Sequence, residues 1–216
     1  MRTWTPRSHD VPTGRAFTLR RMGIHLTKIY TRQGDQGDTR LGDMTLVRKD
    51  HLRVNAYGEV DELNAAVGVV RLQDLPDGWD QGMGSVQNDL FDVGADLAVP
   101  VDPEAEGSRL RIAPERVAWL EQWCDEVNGG LEPLTSFVLP GGTAAAAHMH
   151  VARTVCRRAE RAVVMLCDHE PTGAVGDNVI AYLNRLSDLF FILARGANHA
   201  AGRADVLWVP GAGAGS

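Results

Sequence analysis

Along most of this chain apolar side chains return every three or four residues, the period of a helix buried on one side. The pattern predicts five helices, over about residues 55–73, 80–97, 114–128, 143–167 and 178–200. In the first, Val60, Leu63, Val67 and Val70 share one side, while Asp61 stands opposite among Asn64, Ala65 and Gly68. In the last, Leu183, Leu186, Phe190, Leu193 and Ala197 form an apolar stripe opposite an arc of Asn184, Asp188, Phe191 and Arg195. Pro114 suits the first position of its helix, where no intrahelical N–H bond is lost. Thr143 is placed to cap the fourth. PVDPEAEGSRLRIAP reads as a polar linker, NGGLEPLTSFVLPGG as a loop with a short extended piece, SFVL, and EPTGAVGD as a further loop. Ahead of the first helix, TKIYTRQGDQGDTRLGD (27–43) reads as a Gly/Asp/Thr-rich loop with a short β-like lead-in. With no internal repeat and almost no strand, the expected fold is all-α. It is a five-helix bundle with an N-terminal Gly/Asp-rich loop and ferritin-like up-down packing. Residues 1–24 read as an N-terminal extension, 25–201 as the bundle domain and 202–216 as a Gly/Ala-rich tail.

The fourth helix is the unusual one. In VARTVCRRAERAVV (151–164), Arg153, Arg157, Glu160 and Arg161 fall on one face at about 100° per residue. Val151, Val155, Ala159, Ala162 and Leu166 fall on the other, with Arg158 at the seam. A solvated face carrying an Arg/Glu pair is one reading. An anion site is the other, because guanidinium forks match phosphate oxygens. Charge balance sharpens the contrast. The 216 residues are 44% hydrophobic and 23% charged with a net charge of −6, so no general positive field is available for a polyanion. Any such ligand must be held by a local basic patch.

Other candidate chemistry is weaker when taken alone. Gly34 and Gly37 allow tight turns, and Thr31, Thr39 and the loop amides offer donors for phosphate. No GK[ST] follows, so the loop is not a Walker motif, and Gly/Asp turns are commonplace. Lys49 is either a surface lysine or a phosphate ligand. LPGGT could bind an anion at a helix N-terminus, but capping accounts for it. Asp61, a carboxylate among small residues, calls for a cation, and Arg153 is a candidate. A phenylalanine placed as Phe137 is, between Ser and Val, is by default a core residue. Cys124, Cys156 and Cys167 are odd in number and lack framework or zinc spacing, which fits reduced thiols in a cytoplasmic setting. No Glu-x-x-His pairs mark a metal-carboxylate bundle, and His148 and His150 face different directions. Nothing approaches the length of a membrane span or a signal-peptide h-region. The first 21 residues hold five arginines and one acid, compatible with a transit-like leader or a disordered tail, and MGIHLTKIYTRQGD from Met22 also reads as a beginning.

Together the segments are specific. TKIYTRQGDQGDT, AYGEVDELNAAVG, SFVLPGGT, CRRAER and NRLSDLFFILAR occur in the order and approximate spacing of one family. Over about residues 25–200 the chain resembles the PduO-type ATP:cob(I)alamin adenosyltransferases. It departs at Gln33, where threonine is common, and in a slightly lengthened loop over 168–177. The resemblance implies a homotrimer with active sites between subunits. The implied reaction moves the 5′-deoxyadenosyl group of ATP onto cob(I)alamin, giving adenosylcobalamin and triphosphate, with Mg²⁺ and an adenosylcobalamin-dependent acceptor enzyme as further partners. By position, Thr31, Arg32, Gln33 and Gly34 would wrap ATP, with Thr39, Arg40 and Lys49 near its phosphates. Arg157, Arg158, Glu160 and Arg161 would line the same site, and Asn184 would contact the nucleoside. Asp61 and Arg153 would join two subunits, and Phe137 would face the corrin. The rival expectation is a non-catalytic ATP-binding bundle, a sensor or cofactor-delivery scaffold.

Overall fold

A computed structural model describes residues 30, 32, 34–102 and 109–212. The extension expected over 1–24 lies outside the described residues, as do Thr31 and Gln33. Five helices follow one another: α1 (Leu52–Arg71), α2 (Trp79–Ala98), α3 (Pro114–Asn128), α4 (Ala144–His169) and α5 (Val179–Ala200). The bounds expected from the apolar period hold to within a turn. Local chemistry sets them. Pro114 opens α3. The Thr143 hydroxyl accepts from the Ala146 N–H at 3.1 Å and starts α4. At α1, His51 Nδ1 accepts from the Arg53 N–H at 3.1 Å.

The predicted stripes of α1 and α5 are buried throughout. Helix α4 is the central element, packed against both α1 and α5, while α2 covers α1 and α3 covers α5. This double contact corrects one expectation. Val151, placed on the apolar face, is 53% exposed, and Ala162 is only partly covered. Val155, Ala159 and Leu166 go inside as expected, and the rest of the buried strip runs through Met149, Ala152, Cys156 and Val163. Two neighbouring helices, not one, decide which residues are covered. Small side chains at 152, 156 and 159 let them approach, and the Cys156 thiol donates to the Leu183 carbonyl at 3.1 Å.

Two short strands, β1 (Asp38–Arg40) and β2 (Leu46–Arg48), pair antiparallel with Thr39 opposite Val47. The reading of 27–43 as a loop missed β1, since three residues are too few to show a period. Gly37, at φ 90°, supplies the left-handed turn beside it. Leu41 is buried and the Gly42 N–H donates to the Ala98 carbonyl at 2.9 Å, which fixes the hairpin to the end of α2.

The extended piece SFVL is present, and its partner comes from the far end of the chain. Val138 bridges Leu207, the Leu139 N–H donates to the Val206 carbonyl at 2.8 Å, and the Trp208 N–H to that of Phe137 at 2.7 Å. Part of the expected tail therefore docks on the bundle. Just beyond, Gly142 has φ 108°, and a Cβ there would lie 2.1 Å from Asn198 Oδ1, so only glycine fits. Asn198 fastens this turn to α5 by accepting from the Thr143 N–H at 2.9 Å.

At the hairpin end, Arg53 is fully buried. It donates to the Leu97 carbonyl at 2.8 Å, the Ala174 carbonyl at 3.3 Å and Glu170 Oε1 at 3.2 Å. Arg53→Met would leave those acceptors unpaired and should cost about 3–5 kcal/mol in urea unfolding. A loss under about 1 kcal/mol would mean the cluster contributes little. Among the described residues no helix is long and apolar enough to cross a membrane.

Candidate active site

Helices α3, α4 and α5 and the 131–134 segment enclose a cavity of about 850 Å³. Four arginines line it, and they fall into two kinds. Arg185 Nε donates to Glu121 at 3.0 Å and its Nη1 to Asp188 at 2.7 Å. Arg195 donates to Asp205 at 2.8 Å and to the Glu132 carbonyl at 2.7 Å. Arg153 and Arg157, one turn apart on α4, have no carboxylate among the described residues. Arg153 Nε is buried without a hydrogen-bond partner. Burial, and then the charge of Arg157, hold the Arg153 guanidinium below the usual arginine range. Like charges in that position call for an incoming anion.

The other predicted members of this face separate. Glu160 accepts from Asn184 Nδ2 at 2.9 Å, so these two are brought together across α4 and α5. Arg158 does not line the cavity, because its guanidinium is taken up by Glu59 and Glu62 of α1. Arg161 is exposed and has no partner among the described residues.

A second cavity, of about 770 Å³, lies against the hairpin and is lined by Arg32, Gly34, Thr39, Arg40, Lys49 and their neighbours. A Cβ on Gly34 would sit 3.0 Å from Lys49 Nζ, so the glycine allows the lysine to close over the loop. Arg40 Nη1 donates to the Met44 carbonyl at 2.8 Å. The two cavities share no lining residue. The hairpin is fixed at the end of the bundle marked by Ala98 and, through Arg53, by Glu170. Arg157 lies roughly 20 Å back along α4 from Glu170, at about 1.5 Å per residue. The residues expected to hold one nucleotide thus form two groups that a single chain does not unite.

Asp61 and Arg153 are not paired within the chain, and Asp61 is exposed on the outer face of α1. Phe137 is 77% exposed, so it is not the core residue its neighbours suggest. Its ring lies 6.0 Å from that of Trp208, tilted by 58°. Trp208 was not foreseen. The short run of β-branched and aromatic residues in VLWV was the signal for a strand, but nothing local said that SFVL would be its partner. The Asp205 partner of Arg195 was missed for the same reason. His150 is buried, with both ring nitrogens unpartnered and its ring 6.1 Å from that of Phe191. Burial, and then the charge of Arg153, hold it below the usual histidine range. Cys124 lines the larger cavity, and burial pushes its thiol up to about 12, leaving it protonated and unreactive at neutral pH. Among the described residues no group of three or more His, Cys, Asp or Glu side chains could hold a metal ion.

Comparison with known proteins bears on this geometry. The chain is 50% identical to a corrinoid adenosyltransferase of Mycobacterium tuberculosis over 191 residues, covering 88% of this chain and 97% of that one. It is 47% identical to a cobalamin adenosyltransferase of Cupriavidus metallidurans over 188 residues, covering 87% and 97%. A solved structure of a variant PduO-type ATP:corrinoid adenosyltransferase from Lactobacillus reuteri, complexed with cobalamin and ATP, superposes with a TM-score of 0.79 at 39% identity. That match covers 85% of this chain and 97% of the other. Residues 29–197, which include the hairpin cavity, the arginine face of α4 and Asn184, match the cobalamin adenosyltransferase family model, and the chain belongs to that family.

Proposed function

We propose that this protein transfers the 5′-deoxyadenosyl group of ATP to the cobalt of cob(I)alamin, giving adenosylcobalamin and triphosphate. The observation that carries this reading is the pair Arg153 and Arg157, without a carboxylate among the described residues of the chain, at the edge of a cavity whose other arginines are paired. Cob(I) is itself a strong nucleophile, and no side-chain nucleophile is required. The cobalt electron pair forms the Co–C5′ bond as the C5′–O bond breaks, and the triphosphate leaves with that bonding pair. What the protein must supply is in-line positioning and positive charge on the leaving group. Arg157 supplies that charge from α4. Arg32, Arg40 and Lys49 supply it from the hairpin, with Thr39 and the loop backbone as donors. Glu160 and Asn184 hold the nucleoside end. Mg²⁺ fits as a companion of the triphosphate, neutralising its charge. Among the described residues there is no cage for it, but Asp35 and Asp38 line the hairpin cavity and would supply one or two carboxylates.

The separation of the two cavities supports a homotrimer, in which the hairpin of one subunit meets the arginine face of the next. The missing counterion of Arg153 is then Asp61 of the partner subunit. Asp61→Ala should remove that ion pair, costing roughly 3–5 kcal/mol per interface and weakening both assembly and activity. Sedimentation velocity checks this: a wild-type monomer, or an Asp61→Ala trimer of undiminished stability, contradicts the pairing. Phe137 and Trp208 form an exposed aromatic face for the corrin. Reduced thiols fit a cytoplasmic enzyme whose product passes to an adenosylcobalamin-dependent acceptor enzyme. The deciding experiment incubates the protein with ATP and chemically reduced hydroxocobalamin. Growth of the adenosylcobalamin spectrum is expected, whereas ATP binding without it would leave a scaffold.

A further inference from the structure

The larger cavity carries more charge than a triphosphate calls for, and charge of both signs. Its lining sets Glu121, Asp125, Glu132 and Asp188 against the four arginines. On the α3–α5 side three of these charges form a chain, with Arg185 between Glu121 and Asp188. Their side chains are 34%, 50% and 51% exposed in the order Arg185, Glu121, Asp188, so each keeps polar atoms free for a ligand. Phe191, Ile192 and Cys124 give the same cavity apolar surface. A triphosphate held by Arg157 gives the four carboxylates of the lining nothing to do. Donors and acceptors side by side over an apolar floor suit a large neutral ligand fringed with primary amides, since each amide both accepts and donates.

We propose that Glu121, Arg185 and Asp188 read the peripheral amides of the corrin ring and so set the corrinoid specificity of the enzyme. This rests on the reading of cobalamin as substrate. An amide oxygen accepts from Arg185 while its NH₂ donates to Glu121 or Asp188. A carboxylate at the same place has no proton to donate and meets two like charges. Solvent screens that repulsion at half-exposed groups, so the expected discrimination is tens of fold and not thousands.

The test compares cobalamin with its monocarboxylic acids, in each of which one peripheral propionamide is hydrolysed. kcat/KM is measured at saturating ATP for the wild type and for the Glu121→Gln, Asp188→Asn double variant. The wild type should prefer cobalamin over at least one acid by about tenfold or more. The double variant should shrink that preference to about twofold, with KM for ATP unmoved. The substitutions keep size and shape at partly exposed positions, and a melting curve verifies folding. Three results would overturn the proposal: no acid discriminated by the wild type, the preference retained in the variant, or a parallel loss on both substrates. Wild-type protein making no adenosylcobalamin from cobalamin itself is a separate result, which removes the enzyme reading and this inference with it.

Discussion

Arg157→Lys should lower kcat/KM for ATP on the order of 10²-fold, although the formal charge is kept. The reason lies in its surroundings. Arg157 is exposed to the cavity, no carboxylate among the described residues competes for it, and Arg153 one turn away already repels it. Its guanidinium is thus free to grip two phosphate oxygens at once, which an ammonium cannot do with the same geometry. Stability should barely move, since a surface substitution with no partner lies within about 0.5 kcal/mol. Steady-state kinetics with varied ATP check this. A lysine variant with unchanged kcat and KM would return the arginine face to a solvated surface. Arg158→Lys provides the contrast. That side chain is committed to Glu59 and Glu62, and a lysine can still meet either carboxylate, so its effect on ATP should be much smaller.

Phe137→Ala should abolish the four-coordinate cob(II)alamin signal in electron paramagnetic resonance while leaving a folded protein that binds ATP. Cob(II)alamin is hard to reduce while its lower axial ligand stays on cobalt, and an apolar ring against the lower corrin face excludes that ligand. At 77% exposure, with one aromatic neighbour, Phe137 contributes little to the core. Its loss should cost about 1 kcal/mol, against the 3–5 kcal/mol of a core phenylalanine. Turnover starting from cob(II)alamin under a weak reductant should fall at least about tenfold, equivalent to about 1.4 kcal/mol in the barrier. Chemically prereduced cob(I)alamin should restore most of the rate. A folded variant that keeps the four-coordinate signal would sink the assignment.

The sequence by itself determined the five helices and their inward faces on α1 and α5, because a helix with one covered side writes its period directly into the chain. It determined the caps at Thr143 and Pro114, which depend on residues a few positions away. It also placed the arginines of α4, because those side chains stand at fixed offsets on one helix. What only the tertiary structure decided were relations between distant residues. The buried strip of α4 passes through Cys156 and leaves Val151 outside, because α1 and α5 cover it from two directions at once. Which arginines are free was equally out of reach. Arg158 and Arg157 are neighbours of the same type, yet one is consumed by Glu59 and Glu62 of α1 and the other by no carboxylate among the described residues. The docking of Trp208 beside Phe137 joins two extended pieces too short to announce a partner. Periodicity records which side of an element is covered. It does not record by what, and a charge or an aromatic ring acquires its role only from what stands opposite.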